Sequence, residues 1–312
     1  MSRIFEALQR SESERSGTPL APPALATELL QVVEREASAL ACKDFPANEL
    51  AHQEFAGQEF AKNDLSQFPS LPVCLMQGSK LICLTAQESF GAEKFRFLGV
   101  RLRQLQQSRP LKKLLITSTI PEEGKSTVAA NLATILARRQ QPKILLLEGD
   151  LRRPSLAQHF GLGSIAGLSE WLQGEPRPMK HIYRLEESNL WFLPAGRPPA
   201  NPLELMQSGR LSELLNQLSA WFDWIVIDSP PILPLADTSV WARLADGILL
   251  VTREGTTKRR MLQRGLQALE QSKLLGAVLN SSANTDHSNY YQRYGPGAVR
   301  QTDVPEVLAT PS

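Results

Sequence analysis

The chain has 312 residues, of which 42% are hydrophobic and 21% charged, and these proportions are typical of a soluble globular protein. The formal net charge of +2 is too small to indicate a surface for nucleic acid. No apolar run reaches the roughly 18–20 residues that a membrane-spanning helix needs. The N-terminus also lacks the apolar core and cleavage site of a signal peptide. These features predict a cytoplasmic protein.

Residues 1–80 are predicted to be a flexible, partly helical leader. They carry 7 basic and 11 acidic side chains, and the rest of the chain carries a net charge of +6. A proline-rich stretch at 18–23 separates two short patterns of helical spacing, the second over 24–41. A docking arm for another protein is the alternative. The chain's three cysteines form no C-x-x-C pair, so a disulfide framework or zinc site is not expected.

From about residue 84 the sequence alternates between apolar runs and amphipathic segments. Strands are predicted over 111–117, 143–148, 190–193, 224–228, 247–252 and 275–280, and helices over 89–106, 125–140, 203–219 and 256–272. Runs that are apolar throughout suit strands buried on both faces of a parallel sheet. The pattern predicts a doubly wound α/β domain over 81–288, with a mostly parallel sheet flanked by helices. Residues 289–312 are predicted to be a flexible tail.

The strand at 111–117 leads into a P-loop. Backbone N–H groups of such a loop and of the following helical turn converge on phosphate oxygens, and a lysine reaches the β- and γ-phosphates. A hydroxyl after that lysine binds Mg²⁺. The predicted nucleotide contacts are Glu123, Gly124, Lys125, Ser126 and Thr127. Thr119 stands where the strict motif has glycine. The loop predicts binding of ATP and Mg²⁺.

Two further apolar strands end in acidic residues. Asp228 ends the strand at 224–228, as in a Walker B element, and a strand-end cap is the alternative. Glu148 and Asp150 follow the strand at 143–148 and are two residues apart, so they point to the same side of an extended chain. Such a pair can divide the work between holding Mg²⁺ and accepting a proton. A structural salt bridge with Arg152 or Arg153 is the alternative.

Together these elements resemble the bacterial tyrosine kinases of capsule and exopolysaccharide synthesis, of the cytoplasmic type. The resembling stretches are the Walker A loop, the hydrophobic strand with residues 148–152 (D-x-D-L-R of Walker A′ in the family, E-G-D-L-R here), and residues 228–231 (D-[ST]-P-P of Walker B). The likeness extends through most of residues 85–295. The resemblance implies a P-loop NTPase of the deviant Walker A class and an ATP-dependent protein-tyrosine autokinase.

By position, the resemblance assigns Lys125 and Ser126 to phosphate and magnesium, and Asp150 and Asp228 to the magnesium shell. Glu148 takes the place of the proton acceptor, where the family usually has aspartate, and its extra methylene alters the reach of the carboxylate. Glu122 stands where the family usually has glycine and brings negative charge near the phosphates. A kinase-like regulator with weak activity is therefore one hypothesis. Asn280 is assigned to adenine by resemblance, and a loop-capping asparagine is the alternative.

Two other features belong to the same resemblance. Three of the four tyrosines, Tyr290, Tyr291 and Tyr294, lie in the tail and are expected to be phosphorylated in trans, with a small aromatic patch as the alternative. Glu93 and Arg96 match an E-x-x-R-x-x-R helix that is associated with ring-like self-assembly. Gly99 replaces the last arginine of that motif, and Arg101 and Arg103 lie nearby. An ordinary charged helix face is the alternative.

The resemblance also implies partners. A cytoplasmic member works with a separate transmembrane adaptor of the chain-length-determinant type, which recruits it to the inner face of the plasma membrane. A protein-tyrosine phosphatase is expected as well, and no nucleic acid. The rival hypothesis is a partitioning or positioning ATPase of the ParA/MinD type, which acts as a nucleotide-switched dimer. The tyrosine-bearing tail argues against that rival.

Overall fold

The computed structural model describes residues 65, 68–75, 78–138, 142–174, 178–186 and 188–281. Its strands are β1 (Ser70–Leu71), β2 (Lys113–Ser118), β3 (Ile144–Glu148), β4 (Tyr183–Leu185), β5 (Leu190–Leu193), β6 (Trp224–Asp228), β7 (Gly247–Arg253) and β8 (Leu274–Asn280). Its α-helices are α1 (Ile82–Thr85), α2 (Phe90–Ser108), α3 (Lys125–Ala137), α4 (Leu156–His159), α5 (Leu168–Leu172), α6 (Pro202–Gln207), α7 (Arg210–Trp221), α8 (Asp237–Leu244) and α9 (Arg259–Gln267). A 3₁₀ turn covers Pro178–His181.

The strands form one sheet in the order β1-β4-β5-β3-β6-β2-β7-β8. Every neighbouring pair is parallel except β4 with β5, so the predicted mostly parallel, doubly wound sheet is confirmed. In register, Asp228 of β6 lies beside Glu148 of β3 and beside Ile116 of β2. Because these three strands are parallel neighbours, their carboxyl ends meet at one edge of the sheet.

The central strands are buried on both faces, as their uninterrupted apolar runs predict. Side chains such as Leu115 and Leu145 pack on one face with helices α5 to α8. Their sequence neighbours Leu114 and Leu146 pack on the other face, beneath α2 and α3. Each such leucine contributes about 1.5–3 kcal/mol through burial, so the central sheet is a rigid base for the loops at its carboxyl edge.

The predicted strands at 190–193 and 224–228 coincide with β5 and β6. The predicted helix at 203–219 is instead two helices, α6 and α7, because Gly209 has φ 81° and interrupts the helical backbone. The predicted helix at 256–272 is shorter in the structure, where α9 covers Arg259–Gln267.

The folded domain begins earlier than residue 81. Leu65 and Phe68 are buried in the core, and the ring of Phe68 lies 5.7 Å from that of Trp221. β1 pairs with β4 at the end of the sheet. The predicted leader boundary is therefore wrong for these residues, because a two-residue strand has no periodicity that a sequence pattern can reveal. The predicted helices of residues 1–64 and the tail after residue 281 lie outside the described residues.

Of the described helices, none is long and apolar enough to cross a membrane. Cys74 and Cys83 are free thiols.

Candidate active site

The P-loop joins β2 to α3, and its geometry requires glycine at residue 124. Gly124 is the N-cap of α3 and has φ 89°, in the left-handed region that favours glycine. A Cβ at this position would lie 2.1 Å from Nδ2 of Asn280. Both the backbone conformation and the lack of space therefore exclude a side chain. The first turn of α3 is left open for a phosphate, as the motif predicts.

Side chains from inside and outside the loop hold it in shape. The buried carboxylate of Glu123 accepts the backbone N–H of Ile120 at 2.9 Å and the hydroxyl of Thr257. The amide of Asn280 donates to the carbonyl oxygen of Glu123 at 2.9 Å, and its oxygen accepts the N–H of Ser281. Asn280 therefore has the geometry of the loop-capping alternative. Glu123 and Asn280 are both predicted to contact the nucleotide, but their side chains form hydrogen bonds that stabilise the P-loop itself.

The chain departs from the strict P-loop motif at Thr119, and the structure shows where the larger side chain fits. Its side chain is fully buried against Gly265 of α9, where a Cβ would lie 3.0 Å from Oγ1 of Thr119. The methyl and hydroxyl groups that a glycine would lack thus fit beside a glycine of α9, and the hydroxyl has no hydrogen-bond partner among the described residues.

A cleft of about 640 Å³ opens in front of the P-loop. Its walls come from the P-loop at 121–127, the loop and short helix at 150–159, and the segment 231–235. Nζ of Lys125 lies 3.1 Å from Oδ2 of Asp150 across this cleft. An open groove of about 1140 Å³ lies at the opposite end of the strands, beside Lys112 and Asp246. It contains no residue of the P-loop or of the acidic motifs, so its greater size does not make it the site.

Asp228 lies beneath the cleft with an unsatisfied carboxylate. The residue is fully buried, and neither of its carboxylate oxygens has a hydrogen-bond partner among the described residues. Burial raises the pKa of Asp228 to about 7, although the positive charge of Lys125 and the proximity of the Ser126 hydroxyl oppose the rise. An unpartnered buried carboxylate is costly, and a cation with its water shell would satisfy it.

The donor set fits Mg²⁺ bound together with a nucleotide. Ser126, Asp150 and Asp228 supply one hydroxyl and two carboxylates. No group of three or more histidine, cysteine, aspartate or glutamate side chains within the described part of the chain could hold a metal alone. Mg²⁺ commonly binds one or two carboxylates and completes its shell with water and phosphate oxygens. The site is suited to such a shared ion.

Lys125 stays cationic between these carboxylates. Burial alone would lower its pKa, but the charges of Asp228 and Asp150 outweigh burial, so the pKa of Lys125 is raised. The cleft therefore offers a fixed positive charge to a phosphate.

Comparison with known proteins identifies relatives of this arrangement. No model of a known protein family matches the chain. The chain is 35% identical to the tyrosine-protein kinase YwqD of Bacillus subtilis over 212 residues, which cover 67% of this chain and 89% of YwqD. It is 34% identical to the tyrosine-protein kinase CpsD of Streptococcus agalactiae over 205 residues, 63% of this chain and 89% of CpsD. The kinase domain of the Escherichia coli tyrosine kinase ETK superposes with a TM-score of 0.61 and 29% identity, covering 64% of this chain and 79% of that domain.

The chain belongs to the bacterial tyrosine kinase family. The resemblance inferred from the three Walker motifs is thereby confirmed. The roles of individual residues remain predictions, and the structure shows where each of them lies.

Glu148 occupies the place of the family's proton acceptor, but its surroundings do not suit that role. The side chain is 1% exposed, and both of its oxygens accept backbone N–H groups, from Ser155, Leu156 and Ala195. Burial raises its pKa, and these three donors oppose the rise. Because both carboxylate oxygens already accept backbone N–H groups, the geometry does not favour the prediction that Glu148 takes a proton from tyrosine.

Sequence reasoning missed two features of this kinase-family site. His159 lies in the cleft wall, and burial lowers its pKa, with the charges of Lys80 and Lys125 adding to the effect. Arg152 makes a two-point ion pair with the buried Asp237, at 2.6 and 3.1 Å. The alternative role considered for Glu148 and Asp150, a salt bridge with Arg152 or Arg153, is not what Arg152 forms, since its partner is Asp237. No local pattern could have shown these contacts, because they join segments that are distant in sequence.

The self-assembly motif lies on α2. Glu93 and Arg96 form an ion pair one turn apart, and Arg96 also donates to the carbonyl oxygen of Gln87. Gly99 is buried, and a Cβ there would lie 3.2 Å from Cγ2 of Ile135 on α3. A side chain at residue 99 would therefore require the Ile135 side chain to shift by a few tenths of an ångström. Phe97 of the same helix is 65% exposed. Self-assembly through this helix stays a prediction. Tyr290, Tyr291 and Tyr294 lie outside the described residues.

Proposed function

We propose that this chain is an ATP-dependent protein-tyrosine kinase that acts in the synthesis of capsule or exopolysaccharide. The observation that carries the proposal is the cleft itself. There Lys125 pairs with Asp150, and the buried oxygens of Asp228 have no hydrogen-bond partner within the described residues. Family membership supports tyrosine as the acceptor, because the relatives are named tyrosine-protein kinases.

The residues present would hold Mg²⁺ and ATP in complementary ways. The P-loop and the N-terminus of the thirteen-residue helix α3 line the cleft, where the backbone N–H groups of such a loop would favour phosphate. Lys125 would contact the β- and γ-phosphates, and Thr127 the α-phosphate. Mg²⁺ would be held by Ser126, Asp150 and Asp228, where it supplies neutralisation of phosphate charge.

In the proposed reaction the phenol oxygen of a tyrosine forms a bond to the γ-phosphorus, the bond from that phosphorus to the leaving oxygen of ADP breaks, and the phenol proton is released to solvent water. Such transfers pass through a loose transition state, so positioning and charge stabilisation contribute most of the rate. Lys125 is suited to this work because its charge is fixed by Asp150 and Asp228 and does not depend on pH near neutrality.

The proposed acceptors are Tyr290, Tyr291 and Tyr294 of another copy of the chain. The described chain ends at Ser281, next to Asn280, which is bonded to the P-loop. Tyr290 follows nine residues later. That segment spans at most about 30 Å when extended, and the proposal is that it carries a phenol of one copy to the cleft of another. Each phosphate would add about −1.5 to −2 charges and weaken contacts between copies.

We also propose that the chain works with a transmembrane adaptor of the chain-length-determinant type and with a phosphatase, as the resemblance implies. The adaptor's cytoplasmic tail therefore belongs in the decisive assay.

The test is incubation of the purified protein with Mg²⁺ and ATP, with and without that tail, followed by detection of phosphotyrosine. We expect labelling of the unmodified protein and none of Lys125→Met. We also expect at least about tenfold less for the variant in which Tyr290, Tyr291 and Tyr294 are phenylalanine. Absence of phosphotyrosine under both conditions would overturn the proposal. ATP hydrolysis without labelling would favour the positioning ATPase instead.

A further inference from the structure

Glu148 joins three segments of backbone at the edge of the cleft. Oε1 accepts the N–H groups of Ser155 and Leu156 at 2.6 and 2.5 Å, and Oε2 accepts the N–H of Ala195 at 3.1 Å. The first two donors begin α4, and the third lies just after β5, the strand beside β3. One carboxylate at the end of β3 thus connects its own strand to the loop that follows it and to the loop of the neighbouring strand.

The segment closed by these bonds carries Asp150. The chain leaves β3 at Glu148, passes Asp150 and returns to the Glu148 carboxylate at Ser155. Within this segment, Oδ1 of Asp150 accepts the N–H of Arg153 at 3.0 Å, and Oδ2 faces Nζ of Lys125 at 3.1 Å. The position of the Asp150 carboxylate in the cleft therefore depends on a loop that Glu148 holds at both ends.

The length of the glutamate side chain suits this task. Its oxygens reach α4 on one side and the loop after β5 on the other, and a shorter carboxylate at residue 148 cannot span both sets of donors without moving the backbone. Both oxygens of Glu148 act as acceptors, whereas the amide of a glutamine has one acceptor oxygen and an NH₂ group that only donates, so an amide of the same length cannot keep both sets of bonds.

We propose that Glu148 is a positioning residue that sets the affinity of the cleft for Mg²⁺ by fixing Asp150 opposite Lys125. It does so through the segment between β3 and α4 and exchanges no proton with substrate. The inference rests on the proposed function for the identity of the ion and the nucleotide. Because the test measures the binding of ADP and Mg²⁺, the positioning role of Glu148 can be refuted or supported whether or not the chain phosphorylates tyrosine.

Glu170 provides a matched control. Its carboxylate also bridges backbone N–H groups, accepting from Gly167 at 2.8 Å and from Arg197 at 3.0 Å. Arg197 follows Ala195 in the same loop after β5. Glu170 therefore has the same chemistry and a shared loop, but it does not hold the segment that carries Asp150. Glu170→Gln therefore shows how Mg²⁺ binding responds when a carboxylate that bridges backbone N–H groups is lost elsewhere.

The experiment measures ADP binding by calorimetry, first in EDTA and then across a series of Mg²⁺ concentrations, for the full chain and for Glu148→Gln, Glu148→Asp and Glu170→Gln. For Glu148→Gln we expect ADP affinity in EDTA to stay within about twofold and the Mg²⁺ concentration at half-maximal enhancement to rise about tenfold. Glu148→Asp should fall between it and the unmodified chain, and Glu170→Gln should match the unmodified chain.

An unchanged Mg²⁺ midpoint in Glu148→Gln, with phosphoryl transfer abolished, would instead make Glu148 a catalytic group and overturn the proposal. An equal rise in Glu170→Gln would also overturn it, because the effect would then follow from any loosened loop. If Glu148→Gln does not fold, Glu148→Asp decides the matter: a midpoint equal to that of the unmodified chain refutes the positioning role.

Discussion

Two buried carboxylates lie side by side at the carboxyl edge of the sheet, and they have opposite surroundings. Glu148 ends β3 and Asp228 ends β6, and the two residues are paired in register. Burial raises the pKa of both side chains. Glu148 accepts three backbone N–H groups, whereas Asp228 has no hydrogen-bond partner in the part of the chain that the structure describes.

The difference indicates which acid serves the fold and which serves a ligand. A buried carboxylate with three donors is a satisfied structural element. One without donors is maintained at a cost to stability, and that cost is recovered when a cation binds. The sequence motifs assign both acids a direct part in the chemistry, the magnesium shell for Asp228 and proton acceptance for Glu148, since each follows an apolar strand.

The largest expected effect concerns the unpartnered acid. Asp228→Asn should lower phosphoryl transfer at least about 100-fold, because a neutral amide cannot balance the charge of the bound ion. Turnover is measured by phosphotyrosine formation at saturating ATP. Asp223→Asn is the control, since Asp223 accepts the N–H of Lys143 at the opposite end of the strands. Similar losses of phosphoryl transfer in both variants would show that Asp228 has no special role in the reaction.

A second prediction concerns stability and pH without metal. The folded pKa of Asp228, about 7, lies above its ordinary value of 3.8. The folded state therefore holds the proton more tightly, and ionisation destabilises it progressively as pH rises from about 4 to 7. Asp228→Asn lacks this penalty. Urea unfolding in EDTA should show the variant gaining about 2 kcal/mol relative to the unmodified chain between pH 5 and pH 8. If the stabilities of the variant and of the unmodified chain change in parallel with pH, the raised pKa of Asp228 is contradicted.

A third prediction tests another buried acid that has a partner. Arg152→Ala leaves Asp237, whose side chain is 2% exposed, without its two-point partner. We expect a loss of about 1.5 kcal/mol in the free energy of unfolding, reduced from the value of a fully buried pair because Arg152 is partly exposed. Arg153→Ala, at an exposed neighbouring arginine, should change stability by less than about 0.5 kcal/mol. Equal losses of stability in the two variants would show that the effect comes from changes in the loop and not from the ion pair.

The smallest expected effect is at Glu122, an exposed acid at the mouth of the cleft. Its φ of 66° lies in the left-handed region, which costs a residue with a side chain about 1 kcal/mol. Glu122→Gly removes that strain but adds freedom to the unfolded chain, so we expect a gain of about 0.5 kcal/mol. Removal of the negative charge should also speed ATP turnover severalfold. A slower variant would show that Glu122 assists the reaction.

Much of the fold could be predicted because long apolar runs report burial directly. The bounds of β5 and β6 match the predicted ranges, and the loop from β2 to α3 lies where the motif indicated. The errors fall where the signal is short or non-local. β1 has two residues, the break at Gly209 interrupts a continuous amphipathic pattern, and the pairing of Arg152 with Asp237 joins residues 85 positions apart.

The sequence by itself determined the phosphate loop, the acidic strand ends and the family. Each of these depends on residue types at fixed local spacing: a glycine that must adopt a left-handed backbone, a lysine after it, and a carboxylate after an apolar strand. Only the tertiary structure decided what each acid does. The partners of a carboxylate come from neighbouring strands and loops, so only the folded chain shows that Glu148 has three N–H donors and Asp228 has none.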